Sequence, residues 1–269
     1  MAEISAGLVK QLRELTGLGM MECKRALEEA GGDIKKAEEL LRIKSGAKAS
    51  KAASRIAAEG VIGAYLSPDA KLGALVELNC ETDFVARNED FLAFAKSLGE
   101  TVATRDPGPA EEDKRQKLVQ KIGENITIRR FKRLQANGKL AAYVHAGAKI
   151  GVLVDYDGAD EVGKDVAMHI AFARPEYLTK ASIPPNAIAD ERRVQEGRAK
   201  ESGKPPEIMA KMIEGALGKW AGEKTLLGQP FIKDDKQTIE KMLAAKKAKV
   251  NGYAFLVVGE GIEKAQPTH

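Results

Sequence analysis

The sequence predicts an α+β fold in which a small helical unit precedes a core of two duplicated halves built on antiparallel sheets. Three observations support this prediction. Apolar residues recur at helical spacing over the first 44 residues, two hairpin-like segments repeat each other 78 positions apart, and a charged helical pair interrupts the second copy. A chain of 269 residues has room for about two domains and a sizeable core.

The first segment, residues 1–45, is expected to form three short amphipathic helices. Apolar residues recur at steps of three or four in runs that begin at Ile4, Met20 and Ile34. Glycines separate the runs, and Asp33 is a candidate N-cap for the third helix. A unit this small lies near the lower limit for independent folding, so we expect it to dock onto a partner.

Residues 46–58 are expected to form a helical or flexible linker, because they are rich in Ala, Ser and Lys. The positive charges of Lys44–Arg55 predict a solvated face. A basic RNA-binding protein is the alternative, since the net charge is +4 and the isoelectric point is about 8.8. Aromatic residues make up only 5% of the chain, however, and the strands lack the paired aromatics that stack on bases. Nucleic acid is therefore the less favoured partner.

An internal repeat is the strongest signal in the residues themselves. The segment Gly60–Glu77 aligns with Gly138–Asp155 without a gap, and 8 of 18 positions are identical, where unrelated sequences would share about one. Both segments predict β-hairpins. The first turns at Ser67, Pro68 and Asp69, which favour tight turns for different physical reasons.

The elements after the two hairpins also correspond, with a delay in the second copy. A helical stripe follows each hairpin, and the strand-like Asn125–Phe131 of the first copy matches Tyr253–Val258 of the second. The delay indicates an insertion. The predicted segments are a first half at 59–136, a second half at 137–180 and 231–262, an insertion at 181–230 and a short tail at 263–269.

The insertion predicts a helical hairpin. A highly charged helix, Ile188–Ser202, is followed by a break at Gly203–Pro206 and a returning helix. The returning helix carries an apolar stripe formed by Met209, Met212, Ile213, Ala216, Leu217 and Trp220. One charged partner helix cannot cover this stripe, so we expect an interaction arm that serves either a homodimer or a second patch of a partner protein.

The sequence lacks the residue groups that enzymes use. It has no GxxxxGK[ST] phosphate loop and no GxGxxG after a strand. Cys23 and Cys80 lack zinc-ligand spacing, and for His169 a core or interface position is favoured over a catalytic one. We therefore expect no catalytic residue, cofactor or metal site, and no enzyme activity. Because a membrane-length apolar run and a signal-peptide pattern are both missing, we expect a cytoplasmic protein.

One motif stands out where the first hairpin passes into a helix, ELNCETDFVARNED at residues 77–90. Thr82 or Asp83 is a candidate N-cap, which would place Phe84 in the first helical turn. Phe84 lies seven residues before Phe91, so a continuous helix would put both on the core face. At the corresponding place the second copy has DYDGADEVGKD, with no aromatic after the acid. This difference favours a functional role for Phe84 over a core role.

ELNCETDFVAR, together with LRELTGLGMMECKRAL, closely resembles the translation elongation factor Ts family. The likeness extends through GENITIRRF, GAKIGVLV, AMHIA, SGKPPEIMAKMIEG, GQPF and VGEGIEK, so it covers nearly the whole chain. Members of this family are nucleotide-exchange factors for the GTPase elongation factor Tu. The resemblance implies an N-terminal domain similar to ubiquitin-associated domains, two related core subdomains and a coiled-coil dimerisation module inserted in the second.

The resemblance also implies which residues meet the GTPase, in its GDP-bound and nucleotide-free forms. The first set is Thr82, Asp83, Phe84 and Val85, with Asp83 and Phe84 wedging into the nucleotide domain near its Mg²⁺ and phosphate site. Further contacts are implied for Met20, Lys24, Ile150, Gly151 and His169. The module at 181–230 implies a homodimer or a 2:2 complex, with no cofactor of its own.

Overall fold

Three helices at the N-terminus pack around a small apolar core. The computed structural model describes residues 4–263, and it begins with α1 (Ala6–Thr16), α2 (Met20–Glu29) and α3 (Ile34–Ala52). Leu12, Cys23 and Leu27 are completely buried between these helices. The Asp33 carboxylate accepts the N–H of Lys36 at 3.1 Å, which confirms the predicted N-cap.

Helix α3 is longer than expected and runs through the predicted boundary between the segments 1–45 and 46–58. Ala49 and Ala52 are buried against the core of the first half. Ser45, at the boundary, donates a hydrogen bond to the side-chain oxygen of Gln120. Because their side chains are small, these residues let α3 pack closely on the core. Residues 46–52 are thus a packed helix, and the flexible alternative is wrong for them.

The first half of the core is a three-stranded antiparallel sheet covered on one face by helices. Its elements are β1 (Glu59–Leu66), β2 (Leu72–Cys80), α4 (Glu89–Thr104), α5 (Pro109–Ile122) and β3 (Thr127–Gln135), and the strand order is β1-β2-β3. The apolar stripe of α4, which includes Phe91 and Leu98, is buried on the sheet. The predicted hairpin and the helix after it are both confirmed.

The second half repeats this plan around an inserted pair of helices. Its elements are β4 (Lys139–Val144), β5 (Ile150–Asp157), α6 (Asp160–Ala173), α7 (Pro185–Glu201), α8 (Pro206–Lys224), β6 (Pro230–Phe231), β7 (Asp234–Thr238), α9 (Ile239–Ala245) and β8 (Lys249–Val257). The main sheet has the order β4-β5-β8, and α6 packs on it as α4 does in the first half. The α+β class is confirmed, and the exact segment limits stay predictions. All but the first residue of the predicted tail, 263–269, lies outside the described residues.

The two main sheets face each other, and glycines allow them to approach closely. A Cβ added at Gly73 on β2 would lie 3.0 Å from the Leu153 side chain of β5, and one at Gly151 on β5 would lie 3.1 Å from Leu75 of β2. The two contacts are equivalent, since each pair is related by the 78-residue shift of the repeat. The repeat therefore appears in the structure as an approximate two-fold relation between the halves.

Lysines make a second reciprocal contact between the halves. Lys71 donates a hydrogen bond to the carbonyl of Gly138, and Lys149 donates one to the carbonyl of Gly60 at 2.9 Å. Lys149 also pairs with the carboxylate of Glu59 at 2.9 Å. The positions that are identical in the two copies thus include residues through which each half holds the other.

The inserted helices form an arm whose apolar surface is only partly covered. Helices α7 and α8 pack on each other and bury Ala199 and Leu217. Val194, Ile208 and Met212 remain exposed. The arm therefore has apolar surface available for another protein. Its use in a homodimer or a 2:2 complex through residues 181–230 stays a prediction.

The substitution Gly151→Ala tests the contact between the sheets. A Cβ at this position would lie 2.6 Å from Cγ2 of Ile62, a stiff β-branched side chain. We expect the free energy of unfolding to fall by about 1–3 kcal/mol, the usual cost of overpacking a core. Urea unfolding followed by circular dichroism measures it.

Gly215→Ala is the matched control, because no other heavy atom of the described residues lies within 4 Å of a Cβ built there, outside its own helix and chain neighbours. Alanine is the better helix former, so this variant is expected to lose no stability. Equal destabilisation of both variants would contradict the close contact at Gly151.

Candidate functional site

The corner between β2 and α4, residues 81–88, carries the motif that the sequence singles out. β2 ends at Cys80, a 3₁₀ turn covers Val85–Arg87, and α4 begins at Glu89. The side chain of Phe84 is 80% exposed, whereas Phe91, seven residues later, is completely buried. The two rings do not share a core face. The core interpretation of Phe84 is therefore wrong. Because the ring is exposed, it contributes little hydrophobic free energy to the folding of this chain.

The reason is a break in the helix at Asn88. Its backbone is extended, with ψ of 135°, and its side-chain oxygen accepts the N–H groups of Asp90 at 3.0 Å and Phe91 at 3.2 Å. Asn88 is thus the N-cap of α4, and the prediction of Thr82 or Asp83 in that role is wrong. Because α4 starts late, Phe84 lies outside it.

The other residues of the TDFV motif play different parts in the corner. The hydroxyl of Thr82 lies 2.6 Å from a carboxylate oxygen of Glu124. Asp83 forms an ion pair with Arg87 at 2.8 Å, in which both side chains are well exposed. Val85 is half-buried and packs against the core of the first half. The motif therefore combines an anchored side, at Thr82 and Val85, with a solvent-facing side, at Asp83 and Phe84.

A buried thiol, that of Cys80, forms a hydrogen bond with the backbone of the corner. The Sγ of Cys80 donates a hydrogen bond to the carbonyl of Thr82 at 3.2 Å. Burial, and after it the negative charge of Glu124, raises the pKa of the Cys80 thiol to about 12. The sulfur therefore keeps its proton at neutral pH and acts as a donor, with little reactivity as a nucleophile.

The residues predicted in the N-terminal unit lie at its surface. Met20 starts α2 and is 59% exposed. Lys24, one turn later, is half exposed and lies 3.9 Å from the carboxylate of Glu28. Both side chains are accessible to a partner.

The residues predicted in the second half are less accessible. Ile150 and Gly151 begin β5, where Ile150 is half-buried and Gly151 is buried beneath Ile62. His169 on α6 has no exposed surface. Its Nδ1 accepts the N–H of Ile232 at 3.3 Å, so its Nε2 carries the proton that is shared with the Gln229 side-chain oxygen at 2.9 Å. His169 is thus a satisfied core histidine, and a direct contact with a partner does not fit its place in this structure.

The basic stretch is largely neutralised within the chain. Lys44 pairs with Glu29 at 2.7 Å, Lys48 with Glu22 at 3.0 Å and Arg55 with Glu81 at 3.2 Å. Acidic partners on α2 and at the corner therefore share this face, which gives no support to an RNA-binding surface. Within residues 4–263, His, Cys, Asp and Glu side chains form no group that could hold a metal ion, and none of the helices there could cross a membrane.

Comparison with known proteins then decides the family. The family model described as Elongation factor TS matches residues 81–260. Two relatives named Elongation factor Ts, from Bordetella petrii and Azoarcus sp., are each 56% identical to this chain, over 98% of its length and 94% and 93% of theirs. A third, from Nitrosospira multiformis, is 55% identical over 98% of this chain and 93% of its own length. The chain belongs to the elongation factor Ts family.

The sequence analysis missed two residues that contact the corner or belong to it, Glu124 and Arg87, although both lie in segments that carry the elongation factor Ts resemblance. Glu124 belongs to GENITIRRF, and Arg87 follows TDFVA directly. The sequence shows that each residue is charged but does not show its partner. For Glu124 the reason is distance along the chain, since it contacts Thr82, 42 residues earlier, only in the folded structure. Gly123 ends α5 in a left-handed conformation, and an acidic residue follows it directly. This pattern was the one sequence signal that could have pointed to Glu124.

The pH dependence of stability tests the burial of His169. Desolvation lowers the pKa of His169 below its ordinary 6.5. The unfolded chain therefore takes up a proton below about pH 6.5 that the folded protein refuses, so stability falls as pH drops from there through the folded pKa. We expect wild-type unfolding free energy to fall faster than that of His169→Gln between pH 7.5 and 5.5, by at most about 1.4 kcal/mol per pH unit.

Urea titrations at several pH values, on both proteins, measure this difference. Circular dichroism at pH 7.5 checks that the variant is folded. Parallel curves for the two proteins would contradict a neutral, buried imidazole.

Proposed function

We propose that this chain accelerates the release of GDP from elongation factor Tu by inserting the Asp83 and Phe84 corner into the GTPase. The observation that carries this proposal is the 80% exposure of Phe84 on a corner whose neighbouring residues are anchored. Membership of the elongation factor Ts family supports the exchange activity in translation. An exchange factor makes and breaks no covalent bond, so the chain acts through binding alone.

The proposed mechanism is a wedge. Phe84 and Asp83 enter between helices of the nucleotide domain and disturb the groups that hold Mg²⁺ there. That ion bridges protein side chains and the phosphates of the nucleotide. When the ion and the phosphate-binding loop are displaced together, the barrier to GDP dissociation falls.

One aromatic ring cannot supply the whole effect. Burying a Phe side chain is worth about 1.5–3 kcal/mol, which is far less than the free energy that holds a tightly bound nucleotide. A broad interface must therefore hold the wedge in place. The exposed Met20 and Lys24 make the N-terminal unit one such anchor, and the start of β5 at Ile150 is a second. The burial of His169 removes it from this proposed set.

Thermodynamic linkage between GDP binding and exchange-factor binding limits what the chain can do. If binding of the exchange factor weakens GDP by some factor, GDP weakens the exchange factor by the same factor. The chain therefore speeds exchange in both directions. The ratio of GTP to GDP decides which nucleotide the GTPase then holds.

Phe84→Ala tests the wedge. We expect the maximal rate of stimulated GDP release to fall about 10- to 100-fold, because the lost burial of about 1.5–3 kcal/mol acts at about 1.4 kcal/mol per tenfold. The free energy of unfolding should change by less than about 0.5 kcal/mol, since the ring is exposed. Stopped-flow release of fluorescent GDP from elongation factor Tu, with saturating exchange factor, measures the rate.

Phe172→Ala is the matched control, because Phe172 is also an exposed phenylalanine, at 58%, but lies on α6 of the other half. This variant should keep a maximal rate near that of the wild type. A Phe84→Ala protein that releases GDP as fast as the wild type would refute the wedge.

A further inference from the structure

Glu124 holds the start of the corner through three hydrogen bonds. One of its carboxylate oxygens accepts the backbone N–H groups of Glu81 and Thr82, both at 3.0 Å, and the other accepts the Thr82 hydroxyl at 2.6 Å. Gly123, with φ of 89°, ends α5 and turns the chain so that Glu124 faces the corner. A carboxylate suits this place because its two oxygens offer about four lone-pair sites to three donors.

We call the hydrogen bonds from Glu81 and Thr82 to the Glu124 carboxylate the brace, and a reciprocal hydrogen bond accompanies them. The carboxylate of Glu81 accepts the N–H of Asn125 at 2.5 Å, so each of the two turns holds a backbone group of the other. Arg55 contacts the same carboxylate at 3.2 Å and donates to the carbonyl of Gly123 at 2.8 Å. The corner, the turn after α5 and the chain just after α3 therefore form one connected polar cluster.

Contacts of the ring itself do not fix its direction. Phe84 is mostly surrounded by solvent, so packing does not select its orientation. The ion pair between Asp83 and Arg87 is exposed, and exposed pairs contribute little order. The direction of the ring therefore depends on the backbone of residues 81–88, whose first part Glu124 fixes.

We propose that Glu124 is a positioning residue for nucleotide exchange, which holds the corner so that Phe84 meets the GTPase in one orientation. This inference rests on the function proposed above for Phe84. A corner that is ordered before binding avoids the entropic cost of being ordered in the complex. The brace thus raises the rate of GDP release from the bound complex more than it raises the affinity of docking.

The second half of the core supports this role by contrast. There β5 ends at Asp157 and α6 begins at Asp160, so two residues replace the eight of the first corner. Helix α5 is followed by the left-handed Gly123 and then by Glu124, whereas α9 is followed by the left-handed Lys247 and then by Ala248. The half without an exposed wedge thus also has no carboxylate directly after this turn.

A tryptophan at position 84 tests the brace without any partner. Trp220 is the only tryptophan of the chain, so the protein with Trp220→Phe and Phe84→Trp reports on the corner alone. With Glu124 present, we expect the fluorescence anisotropy to show a fast component from the exposed side chain and a slow one from the tumbling of the whole protein. Adding Glu124→Ala should enlarge the fast component, because local motion of the corner is added to that of the side chain.

Stopped-flow release of fluorescent GDP, in full chains with native Phe84, tests the consequence. Glu124→Ala should lower the maximal rate about tenfold or more, while the half-saturating concentration changes by less than about twofold. Glu124→Gln should recover much of the rate, because the amide oxygen still accepts both N–H groups. Glu111→Ala is the matched control, since its carboxylate accepts the N–H of Gly108 at 2.8 Å, at the opposite end of α5.

Glu111→Ala should change neither the anisotropy nor the maximal rate, even where it lowers the melting temperature. The positioning role is overturned if Glu124→Ala leaves the anisotropy decay unchanged. It is equally overturned if Glu124→Ala exchanges at the wild-type rate while Phe84→Ala is slow, and the wedge then stands without the brace. If Phe84→Ala is itself as fast as the wild type, the proposed function fails, and a role for Glu124 in exchange fails with it.

Discussion

The close contact between the two sheets is the constraint on which the rest of the structure depends. Gly73 and Gly151 each accept a leucine side chain from the other half, and larger residues at either place would push the sheets apart. β2 lies in this contact along one face and carries α4 on the other. The end of β2 is therefore held from both sides, and the exposed corner starts from a fixed point.

A buried carboxylate, that of Glu77, fixes the alignment of the elements around this apolar contact through hydrogen bonds. Glu77 on β2 is completely buried, and it accepts hydrogen bonds from Arg130 at 2.6 Å, from Arg129 at 3.1 Å and from the N–H of Gly259 at 2.7 Å. Burial opposes its ionisation, but these hydrogen bonds outweigh burial and keep the pKa of Glu77 below its ordinary value. A buried charge is costly without its partners. The requirement to pair Glu77 therefore restricts where β3 and the residues after β8 can lie relative to β2. Leucine packing alone would permit sliding, whereas this cluster does not.

The fold was largely predictable because its elements leave local patterns. Helical spacing located α1, α2 and α4, and the duplicated hairpins predicted both sheets. The errors arise where tertiary contacts override local ones. An alanine-rich stretch has no intrinsic stop, so α3 continues as far as the core of the first half covers it. At the corner, Thr82, Asp83 and Asn88 are all acceptable N-caps by residue type, and the sequence does not show that Glu124 already engages Thr82.

Duplication explains why the candidate site lies on a connection and not on the scaffold. The two halves use equivalent positions to bind each other, so substitution at these positions is restricted in both halves. The connection from strand to helix takes no part in that contact, and it is free to differ between the halves. In the first half it has eight residues and a brace from the turn after α5, and in the second it has two. An exposed ring is tolerable on such a connection, because the sheets and helices beneath it fold without its burial.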